Sequence, residues 1–170
     1  MKDNRLKGII ALAVVTIIAF GVIYGSKILV KDEAANDSDK EQIVEDLPGA
    51  IDVADSEGIV SAREITDDSG AVTAYSVVSE ARGFAPKPIT WEIVFENDAK
   101  TIREVKVVSH AETPGYGANM EEASYLDKYK GISATETSEI DGISGATVTT
   151  DAIRLLVNNA YEFISSYAGN

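Results

Sequence analysis

Polar and apolar positions divide the chain into three parts. From Gly8 to Ser26 nineteen residues pass without a charge, and Ile, Ala, Val, Leu and Phe dominate them. A helix of that length spans about 28 Å, close to the roughly 30 Å hydrocarbon core of a bilayer. The next stretch, residues 32–42, is polar, with Asp32, Glu33, Asp37, Asp39 and Glu41. It reads as a solvated linker running into a short helix that ends before Pro48-Gly49. Alternation follows. Ile59 to Ile65 is a candidate strand, Asp67-Asp68-Ser69-Gly70 a turn, and Ala71 to Val78 a strand that pairs back as a hairpin. After Pro86 and Pro88, Ile89 to Phe95 puts Trp91, Ile93 and Phe95 on one face at period two. Glu96-Asn97-Asp98 turns the chain, and Ile102 to Val108 follows with Val105 and Val107 on one face. Connections this short make the strands antiparallel.

The last third changes period. Met120 to Tyr129 suits a short helix. Asp151 to Tyr167 predicts a longer one, with Ile153, Leu156, Val157, Ala160, Phe163, Ile164 and Tyr167 on an apolar stripe. Thr149, Thr150 and Asp151 supply its N-terminal signals. Strands first and helices later predict an α+β fold, an antiparallel sheet with the C-terminal helix packed on it. The organisation expected is an anchor over 1–31, a linker and short helix over 32–48, and a folded domain over 49–170.

Charge sharpens the first of these. Residues 1–31 carry Lys2, Arg5, Lys7, Lys27 and Lys31 against Asp3, a net of +4 in a chain of net −13, which leaves −17 for the rest. Cations ahead of the apolar run keep the N-terminus cytoplasmic and place the acidic body outside. A cleaved signal peptide is the alternative, but Tyr24-Gly25-Ser26-Lys27 is a poor cleavage site and Tyr24 suits the interfacial belt of a retained single-pass anchor. The acidic body repels nucleic acid. The absence of cysteine excludes a disulfide scaffold, zinc ribbons, Cys-ligated iron–sulfur clusters and thiol catalysis, and one histidine, His110, excludes a His-rich metal site.

Two segments differ from scaffold. Ser109-His110-Ala111-Glu112-Thr113-Pro114-Gly115-Tyr116-Gly117 follows a strand; Pro114 fixes φ, and Gly115 and Gly117 permit positive φ. Such a loop can hold backbone close to a flat ligand, or serve as a plain turn into the next helix. Asp141-Gly142-Ile143-Ser144-Gly145-Ala146-Thr147-Val148-Thr149-Thr150 opens the last helix. Its small residues let another group approach, and the helix N-terminus beyond it suits a phosphate. Taken alone it is also an N-capping loop. A Ser or Thr followed by Gly-Ala-Thr arises by chance in on the order of 1% of chains this long. Here it follows an Asp and shares the chain with the Glu-Thr-Pro-Gly loop.

At these residues the chain resembles the covalent FMN-binding domain family, found in the G subunit of the Rnf complex and the C subunit of the sodium-pumping NADH:quinone oxidoreductase. Asp141 to Thr147 match the flavinylation motif of that family. The resemblance implies FMN joined by a phosphoester to the Thr147 hydroxyl, made by a separate flavin transferase with FAD as donor. Asp141 would aid attachment, and Ser144, Gly145 and Ala146 would adjoin the flavin. His110 to Gly117 match the second family motif, which implies Glu112, Thr113, Pro114, Gly115 and Tyr116 beside the cofactor. The position after Gly115 is usually Leu in the family and is Tyr116 here. A bare Glu112 carboxylate in an apolar pocket needs donors. His110 either closes the strand end or touches the flavin.

The function implied is a membrane-anchored electron-transfer flavoprotein within an ion-translocating ferredoxin:NAD oxidoreductase, the Rnf complex. The chain's shortness favours the Rnf member of the family over the quinone-reductase one, which is usually longer. It would relay electrons without substrate turnover of its own. Its partners would be the membrane subunits, another flavinylated one among them. A stand-alone flavinylated extracytoplasmic carrier and a non-enzymatic membrane-tethered binding module are the alternatives.

Overall fold

The computed structural model describes residues 48–169. The expected anchor, and the expected linker and short helix up to residue 47, lie outside the described residues. Among those described, no helix is long and apolar enough to cross a membrane.

Five strands form one antiparallel sheet in chain order: β1 (Ala50–Ile51), β2 (Ile59–Thr66), β3 (Val72–Ala81), β4 (Ile89–Glu96) and β5 (Ile102–Ser109). The period-two pattern fixes which face is buried. In the β3–β4 register Tyr75 meets Phe95, Val77 meets Ile93, Ser79 meets Trp91 and Ala81 meets Ile89; β5 continues the ladder with Val107 opposite Trp91 and Val105 opposite Ile93. Ile89, Trp91, Ile93 and Phe95 are fully buried. Burial of each contributes roughly 1.5–3 kcal/mol. A slip of one residue would turn this row to the polar face. There Glu92 accepts from Ser76 at 2.8 Å and lies 3.8 Å from Arg63 and 3.9 Å from Lys106. β1 escapes the alternation signal because two residues show no period.

Turns close the hairpins by local chemistry. Asp67 Oδ1 accepts from the Ser69 N–H at 2.8 Å, the Ser69 hydroxyl at 2.6 Å and the Ala71 N–H at 3.1 Å. Asp98 accepts from the N–H of Lys100 and Thr101 and, at 2.6 Å, from the Thr101 hydroxyl.

Two segments cover the apolar face. The stretch expected as one helix from Met120 to Tyr129 is broken instead into a 3₁₀ segment at Gly117–Glu121, a four-residue helix α1 (Ala123–Leu126) and a 3₁₀ turn at Asp127–Tyr129. The breaks let Met120, Tyr125 and Tyr129 all point into the core. Tyr129 sets its ring edge-on to Trp91 with centroids 5.3 Å apart, and its hydroxyl lies 3.2 Å from that of Tyr125. Burial pushes the Tyr129 phenol far above its ordinary range. An unexpected 3₁₀ segment, Ala134–Glu139, is held to the last helix by Arg154, which donates to the Ile140 carbonyl at 3.1 Å.

That last helix, α2 (Thr147–Ala168), buries Ala152, Ile153, Leu156, Val157, Ala160 and Ile164 against the sheet. It begins four residues before the Asp151 start expected from its capping signals. Thr149 and Thr150 are not caps. The Thr150 hydroxyl bonds back to the Ala146 carbonyl at 3.0 Å, the i−4 bond of a residue already inside a helix. The cap position falls to Ala146, which offers no side-chain oxygen.

Candidate functional site

Two turns of matching design meet at the start of α2. In the first, the Tyr116 N–H donates to the Thr113 carbonyl at 3.1 Å, with Pro114 and Gly115 between them and Gly115 at φ 78°. In the second, the Ala146 N–H donates to the Ile143 carbonyl at 3.0 Å, with Gly145 at φ 73°. Positive φ at the third position of a four-residue turn is what selects glycine there. The Tyr116 ring packs over Gly145: a Cβ at Gly145 would lie 3.3 Å from it, a tight contact. Gly117 does not use the positive φ that glycine permits. It is required for space instead, since a Cβ would come within 2.6 Å of both Glu112 Oε2 and Thr149 Oγ1.

Between these turns opens a cleft of about 470 Å³, lined by Phe84, Glu112, Thr113, Tyr116, Gly117, Gly145, Ala146, Thr147, Val148 and Thr149. The lining is chiefly apolar, with Phe84, Tyr116 and Val148 more than half exposed around it. Its size falls in the roughly 300–1,000 Å³ range of small-molecule sites. Of the residues expected at the site, Glu112, Thr113, Tyr116, Gly145, Ala146 and Thr147 line it together. Pro114 and Gly115 shape the turn without lining it, and exposed Ser144 and Asp141 stand outside the lining. A larger depression of about 680 Å³, along α2 beside Ser56, Leu155 and Asn159, contains none of the expected residues.

Glu112 is buried, and its carboxylate's need for donors is met. Oε1 accepts from the Ala85 N–H at 2.9 Å, and Oε2 accepts from the Thr149 hydroxyl at 2.6 Å. His110 does not line the cleft. Its Nδ1 accepts from the Glu112 N–H at 3.0 Å, and its Nε2 lies 2.9 Å from Glu121 Oε1, so it fixes the strand end.

The four hydroxyls near the helix start differ in availability. Those of Thr149 and Thr150 are buried and engaged: Thr149 donates to Glu112, while Thr150 donates to Ala146 and accepts from the Ile143 N–H at 3.0 Å. Thr147 and Ser144 are exposed, and among the described residues no group hydrogen-bonds either hydroxyl. Only Thr147 of the two lines the cleft.

The motifs do not point to Phe84, Gly83 or the anchoring role of Thr149. An aromatic between Gly83 and Pro86 is the available signal for the first. Nothing local links Thr149 to a carboxylate thirty-seven positions earlier.

A cleft with aromatic walls and an open hydroxyl on a helix's first turn has the chemistry to accept a planar group bearing a phosphate. Residues 83–162 match the model of the FMN-binding domain family. The chain is related to the G subunit of the ion-translocating oxidoreductase complex of Methanosarcina acetivorans, 29% identical over 76% of this chain and 77% of that one. It is also related to the G subunit of the proton-translocating ferredoxin:NAD(+) oxidoreductase complex of Clostridium ljungdahlii, 31% identical over 56% of each chain. The crystal structure of NqrC from Shewanella oneidensis shares the fold, with a TM-score of 0.53 at 19% identity over 79% of this chain and 78% of that one.

Proposed function

We propose that this chain is a membrane-anchored electron-transfer flavoprotein, the G subunit of an Rnf-type ion-translocating oxidoreductase, with FMN held by a phosphoester on Thr147. The observation that carries the assignment is the contrast among hydroxyls. Thr147 is exposed, unengaged and in the cleft wall, whereas Thr149 and Thr150 are buried and bonded. The residues fit the group. Phe84, Tyr116 and Val148 offer apolar contact to a flat ring, and the uncapped start of α2 favours a phosphate.

When bound, FMN supplies the electron transfer. The chain's part is to hold and orient it. Attachment forms a bond from Thr147 Oγ to phosphorus as the pyrophosphate of FAD breaks, with AMP leaving and the hydroxyl proton lost. A flavin transferase performs that step, and exposed Asp141 is free to meet it. Residues 1–31 anchor the chain, with the domain on the outer side. Its partners are the other membrane subunits of the complex.

The test is the chain purified from its own membrane. Its band in a denaturing gel should fluoresce as flavin, and the peptide containing Thr147 should be heavier by one FMN less water. A dark band, or the mass on a different peptide, overturns the assignment. Protease added to intact protoplasts should digest the domain and spare an N-terminal tag. The reverse result overturns the topology.

A further inference from the structure

Glu112 joins three parts of the molecule through one side chain. Oε1 holds the loop after β3 by the Ala85 N–H, next to Phe84, and Oε2 holds the first turn of α2 by the Thr149 hydroxyl, two residues past Thr147. The Glu112 backbone N–H is itself fixed by His110 Nδ1. Two glycines make room for the carboxylate. A Cβ at Gly83 would stand 2.5 Å from Oε1, and one at Gly117 would stand 2.6 Å from Oε2. The carboxylate is thus packed against backbone on both sides, while its residue remains part of the cleft wall. Among the described residues no cation pairs with it; its two donors there are an amide and a hydroxyl. Neutral donors satisfy the oxygens without cancelling the charge, and a charge in a low-dielectric wall acts on its neighbours more strongly than one in water. If burial and hydrogen bonding were all that this position required, a neutral side chain with the same reach would serve.

We propose that Glu112 is a positioning residue that ties the Phe84 loop to the first turn of α2 and sets a buried negative charge in the cleft wall, which disfavours electron uptake by a flavin held there. The electrostatic half rests on the proposed FMN site; the tie does not. Reduction adds negative charge to the cofactor, so an adjacent anion lowers the midpoint potential, and removing the anion raises it.

Two variants separate the roles. Glu112→Gln keeps an acceptor for the Ala85 N–H and can donate its amide to Thr149, whose hydroxyl rotates to accept, so it removes charge alone. Its flavin potential should rise by the equivalent of about a tenfold change in the oxidised-to-reduced ratio, about 30 mV for a two-electron couple. Glu112→Ala removes the tie as well. Trypsin should then cut after exposed Arg82, ahead of buried Gly83, about tenfold faster than in the parent, the scale of losing one buried hydrogen-bond acceptor. Glu112→Gln should cut at the parent rate. An unmoved potential in Glu112→Gln, with label intact, overturns the electrostatic role. Parent-rate cleavage of Glu112→Ala overturns the tie. A parent chain without flavin overturns the proposed function and the electrostatic half together, while the trypsin comparison still decides the tie.

Discussion

The hairpin turns and the start of α2 use the same kinds of residue to opposite ends. Each has an Asp followed within a few positions by small residues and a hydroxyl. In the hairpin turns the Asp engages its own loop: Ser69 donates to Asp67 and Thr101 to Asp98, both at 2.6 Å. At the start of α2 the Asp stands apart. Asp141 is exposed and takes no hydrogen bond from the described residues, and the loop's hydroxyls divide into two engaged and two open. A hydroxyl closed by a neighbour stabilises a turn. One left open on a cleft wall is available to chemistry. Composition does not separate the two cases; the fold does, by bringing Glu112 under Thr149.

Four substitutions probe that contrast. Thr147→Ala should lose the flavin label completely in a denaturing gel, while Ser69→Ala, which removes a hydroxyl of the engaged kind, should keep it in full. A fluorescent Thr147→Ala band would show that an open hydroxyl was not what mattered. Gly117→Ala forces a Cβ onto Glu112 and Thr149 and should cost about 2 kcal/mol, seen in thermal unfolding. An undisturbed Tm there would mean that the packing beneath the cleft gives way freely. Thr150→Val keeps shape but leaves the Ile143 N–H without its acceptor, for a loss of about 1 kcal/mol with the label retained.

The smallest effect is one of pH. The Ser69 hydroxyl, followed by the N–H groups of Ser69 and Ala71, holds the Asp67 carboxyl below its ordinary value of 3.8. A carboxylate whose folded value is depressed stabilises the fold above the unfolded value, and that contribution is lost as the pH falls through the folded one. Asp67→Asn should therefore melt slightly below the parent at neutral pH, with the gap closing as the pH drops below about 3.8. A gap that widens in acid would contradict the sign.

Alternation makes β2 to β5 legible because one face is dry and the other carries ion pairs, so period two is written into Ile89, Trp91, Ile93 and Phe95. The stripe of α2 is equally plain. Its start is not. Thr149-Thr150-Asp151 has the composition of a cap, yet tertiary bonds to Glu112 and Ala146 draw those residues inside the helix. The breaks in the covering segment escape a reading of the chain because Met120, Tyr125 and Tyr129 serve a core whose shape no local period encodes. At the cleft, the two glycine turns are legible as turns. What they face is legible in part: Glu112 belongs to the same segment as the first turn and is expected at the site, whereas Phe84 reaches the cleft from the separate loop after β3.

The chain has a single tryptophan, and it lies fully buried in the middle of the sheet. A domain of this length has a radius of gyration of about 14 Å, so no point within it is far from that indole. Trp91 is thus a built-in optical donor, shielded from solvent. A flavin seated anywhere on the domain would draw off its excitation, and emission from the one indole would fall as each molecule is loaded. Maturation could then be followed in real time on the native chain, with no dye attached and no residue changed.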